Sequence, residues 1–222
     1  MTRLALFDLD HTLLSGDSDV LWCDFLIAEG LLDRATFEAR NHAMAERYER
    51  DAATAAEFCG FYAETLRGAR PDGWQHLRER FLLAVITPRL GAAARALVEQ
   101  HRAAGDRLVL TTASNRFITE LTAHELGIEV LIATELELID GTFTGRTEGI
   151  LNMREGKLDR LKGWVHEQAL DARALASATF YSDSANDLPL LEAVGRPVVV
   201  DPNEAFDRVV RARGWPVLRL GG

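Results

Sequence analysis

The sequence predicts an α/β fold: a doubly wound, mostly parallel sheet with an all-helical segment inserted after the first strand. Three observations predict it. A nearly continuous apolar run from Leu4 to Leu9 reads as a strand buried on both faces. From Ser18 to about Ile86 the apolar spacing is helical. After Pro88 helix and strand alternate, the pattern of a parallel sheet covered on both sides. The expected division is a core of residues 1–14 and 89–222 and a helical insertion of residues 15–88.

Within the insertion, apolar clusters recur at Val20, Leu21, Phe25 and Leu26, at Leu31, Leu32 and Phe37, at Phe58, Phe61, Tyr62 and Leu66, and at Leu77, Phe81, Leu82 and Val85. Gly30, Gly68, Pro71-Asp72-Gly73 and Pro88 punctuate them. In the core, Ala92 to Ala104 is an alanine-rich helix closed by Gly105, Arg107 to Thr112 a strand, and Asn115 to Leu126 a helix closed by Gly127. Glu129 to Thr134 is a strand, and Leu136 to Gly145 a hairpin turning at Asp140-Gly141, a strong turn dipeptide. Lys157 to Gln168 is a helix, Ala178 to Ser182 a strand, and Leu188 to Val194 a helix that accepts Pro189 in its first turn. Pro197 to Val200, Glu204 to Arg213 and Val217 to Leu220 complete the series as strand, helix and edge strand.

Hydrophobic residues make up 47% and charged residues 27%, enough for a packed interior and against global disorder. The formal charge of −9 argues against general affinity for nucleic acid or anionic membranes, so an anionic ligand needs a local cation. The two cysteines, Cys23 and Cys59, form no CxxC pair and read as buried thiols rather than a zinc site or a disulfide. There is no signal-peptide pattern, and no apolar run approaches the roughly 20 residues of a membrane span, so the expected location is cytoplasmic.

In a parallel sheet, functional groups collect beyond the carboxyl ends of the strands. The first predicted strand leads into Asp8-Leu9-Asp10-His11-Thr12, and strands disfavour such a pair of aspartates. The second ends Thr111-Thr112-Ala113-Ser114-Asn115 and runs into a helix, whose N-terminus favours anions. Lys157 stands near the start of a later helix, and Ser182-Asp183-Ser184-Ala185-Asn186-Asp187 follows another strand. Taken singly, Ser184 and Asp187 could be helix caps, Thr112, Ser114 and Asn115 could cap their own helix, and Lys157 could be a solvated surface charge. Their joint order points instead to phosphoryl chemistry, with Asp8 as nucleophile and Asp10 managing protons. Hard oxygen ligands from two strands suit Mg²⁺. Alternation of strand side chains turns His11 away from the site. Two readings of Asp17 stand side by side: a contact to a substrate amine or hydroxyl, and a helix cap before Val20. Trp22 and Phe25 have two readings, as pocket lining and, favoured on burial grounds, as packing residues of the insertion, and Arg40 and Arg47 have no assigned role.

These segments, in this order, resemble the haloacid-dehalogenase-like (HAD) phosphohydrolase superfamily. Asp8 to Thr12 resembles its DxDx[TV] motif, Thr112 its Thr/Ser motif, Lys157 its lysine motif, and Asp183 to Asp187 its acidic motif. The insertion is similar in position and length to the helical C1 cap of the phosphoserine-phosphatase-like branch. Ser182 stands where that family commonly has glycine, Asp17 where phosphoserine phosphatases usually carry glutamate, and Thr112-Ala113-Ser114-Asn115 replaces a Ser-Gly-Gly run. The resemblance implies a Rossmann-like core and Mg²⁺ held by the Asp8 side chain, the Asp10 backbone carbonyl and Asp183. It implies attack by Asp8 to give an aspartyl-phosphate, proton transfer by Asp10, and Thr112 and Lys157 on the phosphoryl oxygens. Asn186 and Asp187 are implied in orienting Lys157 or a metal-bound water. The substrate would be a small phosphomonoester resembling phosphoserine or histidinol phosphate. A phosphotransferase or mutase, a phospho-acceptor signalling domain and a non-catalytic phosphate-binding protein are the alternatives.

Overall fold

The computed structural model of the chain describes residues 3–50, 52–171 and 173–221. Among them a seven-stranded sheet has the order β4-β3-β2-β1-β5-β6-β7. Its strands are β1 Leu4–Phe7, β2 Arg107–Asn115, β3 Val130–Ile139, β4 Thr142–Glu148, β5 Thr179–Ser182, β6 Arg196–Val200 and β7 Val217–Leu218. All neighbours pair in parallel except β3 and β4, the hairpin expected at Asp140-Gly141, whose two turn residues have φ of 51° and 72°.

β1 is the central strand because both its faces are apolar. Ala5 and Phe7 enter one core cluster and Leu4 and Leu6 the other. The first cluster packs under α5 Ala92–Ala103 and α6 Arg116–Glu125, and the second under α7 Glu155–Glu167, α9 Leu188–Ala193 and α10 Glu204–Arg213. From β1 the sheet grows through β2 on one side and β5 on the other. The carboxyl end of β1 is thus the switch point where a crevice opens.

Between β1 and β2 lie α1 Ser18–Ala28, α2 Arg34–Glu49, α3 Ala55–Glu64 and α4 Gln75–Phe81, as the helical spacing predicts. A π-helical turn, Leu82–Ile86, and a 3₁₀ turn, Thr87–Arg89, lead back to the core, and Ser15 N–H donates to Arg89 O across the two connecting segments. The insertion is joined to the first core cluster by Trp22, Phe25, Leu26, Leu77 and Phe81, with Trp22 in ring contact with Phe25, Trp74, Phe81 and Phe117. Trp22 and Phe25 are therefore packing residues. A separate cluster holds Cys23, Ile27, Phe58, Cys59 and Tyr62, and burial pushes both free thiols up to about 12. No single helix among the described residues is long and apolar enough to cross a membrane.

Several details differ from the sequence reading, among them the end of the first strand, which stops at Phe7 and not Leu9. β2 does not stop at Thr112 but continues to Asn115 through a register shift against β3, which is a local irregularity that periodicity does not register. Residues 129–134 and the first arm of the hairpin are one continuous strand, β3. A single-turn helix, α8 Ala174–Ser177, precedes β5 and is too short to show a period.

Candidate active site

The floor of the site is built where β1, β2 and β5 end together. Phe7 is level with Leu110 and Tyr181, and the next residue, Asp8, donates its N–H to Tyr181 O at 2.9 Å. The Asp8 carboxylate is buried, with Oδ1 accepting from Lys157 Nζ at 2.8 Å and Oδ2 from Thr12 Oγ1 at 3.2 Å. Lys157 lies in the first turn of α7 and also donates to Asp187 Oδ2 at 2.8 Å. Burial works to lower the lysine's pKa, but Asp187 and Asp8 outweigh it and raise it, so the ammonium is retained. Ser182 Oγ donates to the same Asp187 oxygen at 2.7 Å and accepts from Ser184 N–H. The hydroxyl that replaces the family's common glycine thus has a structural use: it holds the carboxylate that holds Lys157.

Asp10 is fixed from two sides. Its Oδ2 accepts from Ser114 Oγ at 2.7 Å and Thr112 Oγ1 at 3.1 Å, and its Oδ1 from Ser18 N–H at 2.7 Å, at the first residue of α1. Thr112 and Ser114, two residues apart on β2, both reach this one oxygen. Asn152, buried after β4, reaches Thr111 Oγ1 at 3.0 Å and the carbonyls of Thr112 and Ile132 at 2.9 Å, pinning the same strand ends.

Asp183 follows β5 and shares Thr12 with Asp8. Thr12 Oγ1 lies 3.1 Å from Asp183 Oδ1 and accepts from Asp183 N–H at 3.0 Å. Burial raises the Asp8 carboxyl well above its ordinary value against the pull of Lys157. Burial likewise raises Asp183 to about 6, opposed by His11 and assisted by Asp187. A buried and a half-buried carboxylate on one hydroxyl, with a deficit of positive charge, are a fit for a hard divalent cation. Among the described residues no three His, Cys, Asp or Glu side chains form a ready cation cluster.

The insertion supplies the roof. Asp17, Tyr48 and Phe58 face Asp8, Asp10, Lys157 and Asp183 across a cavity of about 40 Å³, closed on one side by Ala113 and Met153. The Tyr48 and Phe58 rings stack at 4.1 Å with an interplanar angle of 29°. Asp17 is the helix cap of one reading, its carboxylate accepting from Val20 N–H at 3.0 Å, and the residue also lines the cavity. Burial, then the neighbouring Asp10 and Asp19, raise its pKa well above the usual carboxylate range.

The structure therefore brings Asp8, Asp10, Asp17, Lys157, Asp183, Asn186 and Asp187 to one cavity. Thr112 stands behind Asp10 rather than in the lining, and its hydroxyl is committed to that carboxylate. His11 corrects an expectation. β1 ends at Phe7, and His11 has a left-handed backbone with φ of 55°, so strand alternation does not reach it; its exposed ring lines the mouth. Sequence reasoning passed over Tyr48, Phe58, Asn152 and Asp19. Asp19 is buried in α1 and accepts from Asn115 Nδ2 at 2.9 Å, linking the insertion to the end of β2. A carboxylate two residues beyond Asp17 in an apolar helix was the available signal for it; the others carried none.

A family model for haloacid dehalogenase-like hydrolases matches residues 5–192. A histidinol-phosphatase of Neisseria meningitidis serogroup C (strain 8013) is 36% identical over 221 residues, covering 99% of this chain and 100% of the relative. A solved structure of a protein of unknown function from Bordetella pertussis Tohama I has a TM-score of 0.92 at 43% identity, covering 99% of this chain and 100% of that one. A phospho-aspartyl intermediate analogue of phosphoserine phosphatase has a TM-score of 0.71 at 15% identity over 100% of this chain and 94% of that one, a likeness of fold alone.

Proposed function

The chain belongs to the haloacid dehalogenase-like hydrolase family, and from that premise we propose that it is a phosphatase: a Mg²⁺-dependent hydrolase of small phosphomonoesters resembling phosphoserine or histidinol phosphate, working through an aspartyl-phosphate. The observation that carries this reading is the state of Asp8. It is a buried carboxylate at the end of the central strand, with one oxygen on Lys157 and the other on Thr12, and with Asp10 two residues away.

In this reading an Asp8 carboxylate oxygen attacks phosphorus, forming the oxygen–phosphorus bond of an acyl phosphate as the bond from phosphorus to the leaving oxygen breaks. Asp10 gives that oxygen its proton and then takes one from the water that hydrolyses the intermediate. Thr112, Ser114 and Ser18 N–H keep the Asp10 carboxylate aimed. Lys157 neutralises charge beside Asp8 and on the phosphoryl group, held in place by Asp187 and, through it, Ser182. Asn186 lines the same cavity, where it would help to orient Lys157 or a metal-bound water. Mg²⁺ would be held by the Asp8 and Asp183 carboxylates and the Asp10 carbonyl, where it would offset the charge of the anionic substrate and polarise its phosphoryl group.

Residues 15–88 act as a cap on the core of residues 1–14 and 89–222. A cavity of about 40 Å³ holds a few waters, whereas pockets for small ligands run to roughly 300 Å³ or more, so a phosphomonoester enters only when the cap moves away. Closing it again excludes bulk water from the phosphoryl group. The test is phosphate release from a panel of small monoesters with and without Mg²⁺, with Asp8→Asn as control. Release that needs Mg²⁺ and is lost in Asp8→Asn is expected; an Asp8→Asn variant as fast as the parent overturns the nucleophile, and no release from any monoester overturns the activity.

A further inference from the structure

Resting on the phosphatase reading above, we propose that this site selects its ester by charge and shape. It takes a phosphomonoester that carries an ammonium and a planar ring but no carboxylate, and Tyr48 is the residue that sets the preference.

The argument begins with which cations reach the cavity. Lys157 is the sole lysine or arginine among its described lining residues, and its ammonium is already held by Asp8 and Asp187. The arginines of the insertion that could have served a substrate carboxylate are turned elsewhere. Arg40 lies over the rings of Phe37 and Phe61, at 5.3 Å from each centroid. Arg47 donates to Glu57 and to Ala52 O on the outer side of the helices. Arg50 and Arg154 line an adjoining groove that shares Tyr48, Asp183 and Asn186 with the cavity, but they are not among the residues that line the cavity itself. A carboxylate carried into the cavity beside the phosphoryl group would therefore meet Asp10 and Asp17 with no lysine or arginine of the lining left to pair with it, which is costly where the groups are withdrawn from water.

An ammonium meets the opposite situation. Asp17 uses one oxygen to cap α1 and lines the chamber with the rest of its carboxylate. The carbon surface beside it comes from the Tyr48–Phe58 pair, backed by Met153, and aromatic and thioether walls suit a flat, polarisable group. Tyr48 adds a hydroxyl that has no hydrogen-bond partner among the described residues, although the ring is mostly buried. The residue that carries this handle lines the cavity together with Asp17, Asp187 and Asp8. A ring nitrogen or an amine of the substrate would satisfy it.

The experiment compares kcat/KM with Mg²⁺ for four esters: histidinol phosphate (amine and ring), phosphoethanolamine (amine alone), glycerol 3-phosphate (neither) and phosphoserine (amine and carboxylate). In the parent, histidinol phosphate should exceed phosphoserine by on the order of a hundredfold, the effect of an unpaired charge in such a site. Tyr48→Ala should lose about tenfold more on histidinol phosphate than on phosphoethanolamine, with the loss in KM. Tyr48→Arg, which places a cation at the chamber wall, should narrow the gap by raising phosphoserine about tenfold. Tyr48→Phe keeps the ring stack and isolates the hydroxyl. The proposal is overturned if the parent handles phosphoserine as well as histidinol phosphate, or if Tyr48→Ala lowers all four esters alike. Hydrolysis of none of the four overturns the phosphatase reading itself, a result distinct from hydrolysis without selectivity.

Discussion

The floor and the roof of the cavity are held by different forces. On the floor each charged group is fixed by short polar contacts across the sheet: Lys157 on Asp8 and Asp187, Thr12 on Asp8 and Asp183, Ser114 and Thr112 on Asp10. On the roof, Tyr48 and Phe58 are held by stacking, and Asp17 by a single cap bond. Further out, the insertion carries solvent-exposed ion pairs such as Arg34–Glu38, Arg47–Glu57 and Arg50–Glu46, each worth little. Directional bonds fix the geometry that bond-making needs to a fraction of an ångström, whereas ring packing tolerates exchange of one residue for another. The difference assigns chemistry to the floor and selection to the roof.

The largest expected effect breaks or upholds that division directly. Asp8→Asn should lower phosphate release by about a thousandfold or more, with unchanged far-UV circular dichroism, because the amide fits the space but does not attack phosphorus. Asp17→Asn keeps a good helix cap and should cost about tenfold, chiefly in KM. Equal losses from the two would erase the distinction between floor and roof.

Stability provides the next contrast. Lys157→Met strands Asp8 and Asp187 in the interior, and breaking a buried pair costs about 3–5 kcal/mol. Urea denaturation at neutral pH measures it. The penalty should be smaller at pH 5, where the abandoned carboxyls take up protons. No comparable loss is expected from Arg47→Met, whose ion pair with Glu57 is exposed on both sides.

The seam between floor and roof is titratable. Asp19 in α1 is pushed up to about 8, first by burial and then by Asp10, against hydrogen bonds from Ser114 and Asn115. A carboxyl whose folded pKa is raised favours the fold below its unfolded value near 3.8, and that contribution is lost as pH rises through about 8. Asp19→Asn removes the titration while keeping an acceptor for Asn115. The melting temperature of the variant relative to the parent should therefore climb between pH 4 and pH 8. A difference that stays flat over this range would show that Asp19 does not carry a buried charge at the seam.

The sheet and most of the floor were legible because each rests on a local regularity. Leu4 to Phe7 and Val109-Leu110 are apolar on both strand faces, and Asp8, Lys157 and Asp183 stand where strands or helices begin and end. Thr112 was legible as a site residue but not in its detail. Its hydroxyl is committed to Asp10, a contact between residues far apart in the chain. Tyr48 and Phe58 were illegible as cavity residues for a related reason. At helical spacing an aromatic that packs inward and one that overhangs a cavity look alike, and only the way α2 and α3 settle on the core separates them. His11 was misplaced because a strand rule was carried past the last strand residue.

The smallest predicted effect concerns the roof's own scaffolding. Thr54 and Glu57 form a reciprocal capping box at the start of α3: Glu57 N–H donates to Thr54 Oγ1 at 3.2 Å, and Thr54 N–H donates to Glu57 Oε2 at 2.9 Å. Arg47 of α2 and the Thr54 donors hold the Glu57 carboxyl down at about 2, so its contribution is present above pH 4.5 and is lost as the pH falls toward 2. Thr54→Ala should cost about 1 kcal/mol in denaturant unfolding at neutral pH. With the floor untouched, kcat for any ester that is hydrolysed should stay at the parent value. If α3 fixes Phe58 beneath Tyr48 only through packing, KM should hardly move either. A rise in KM without a change in kcat would instead show that the cap bond helps set the roof from which the substrate is chosen.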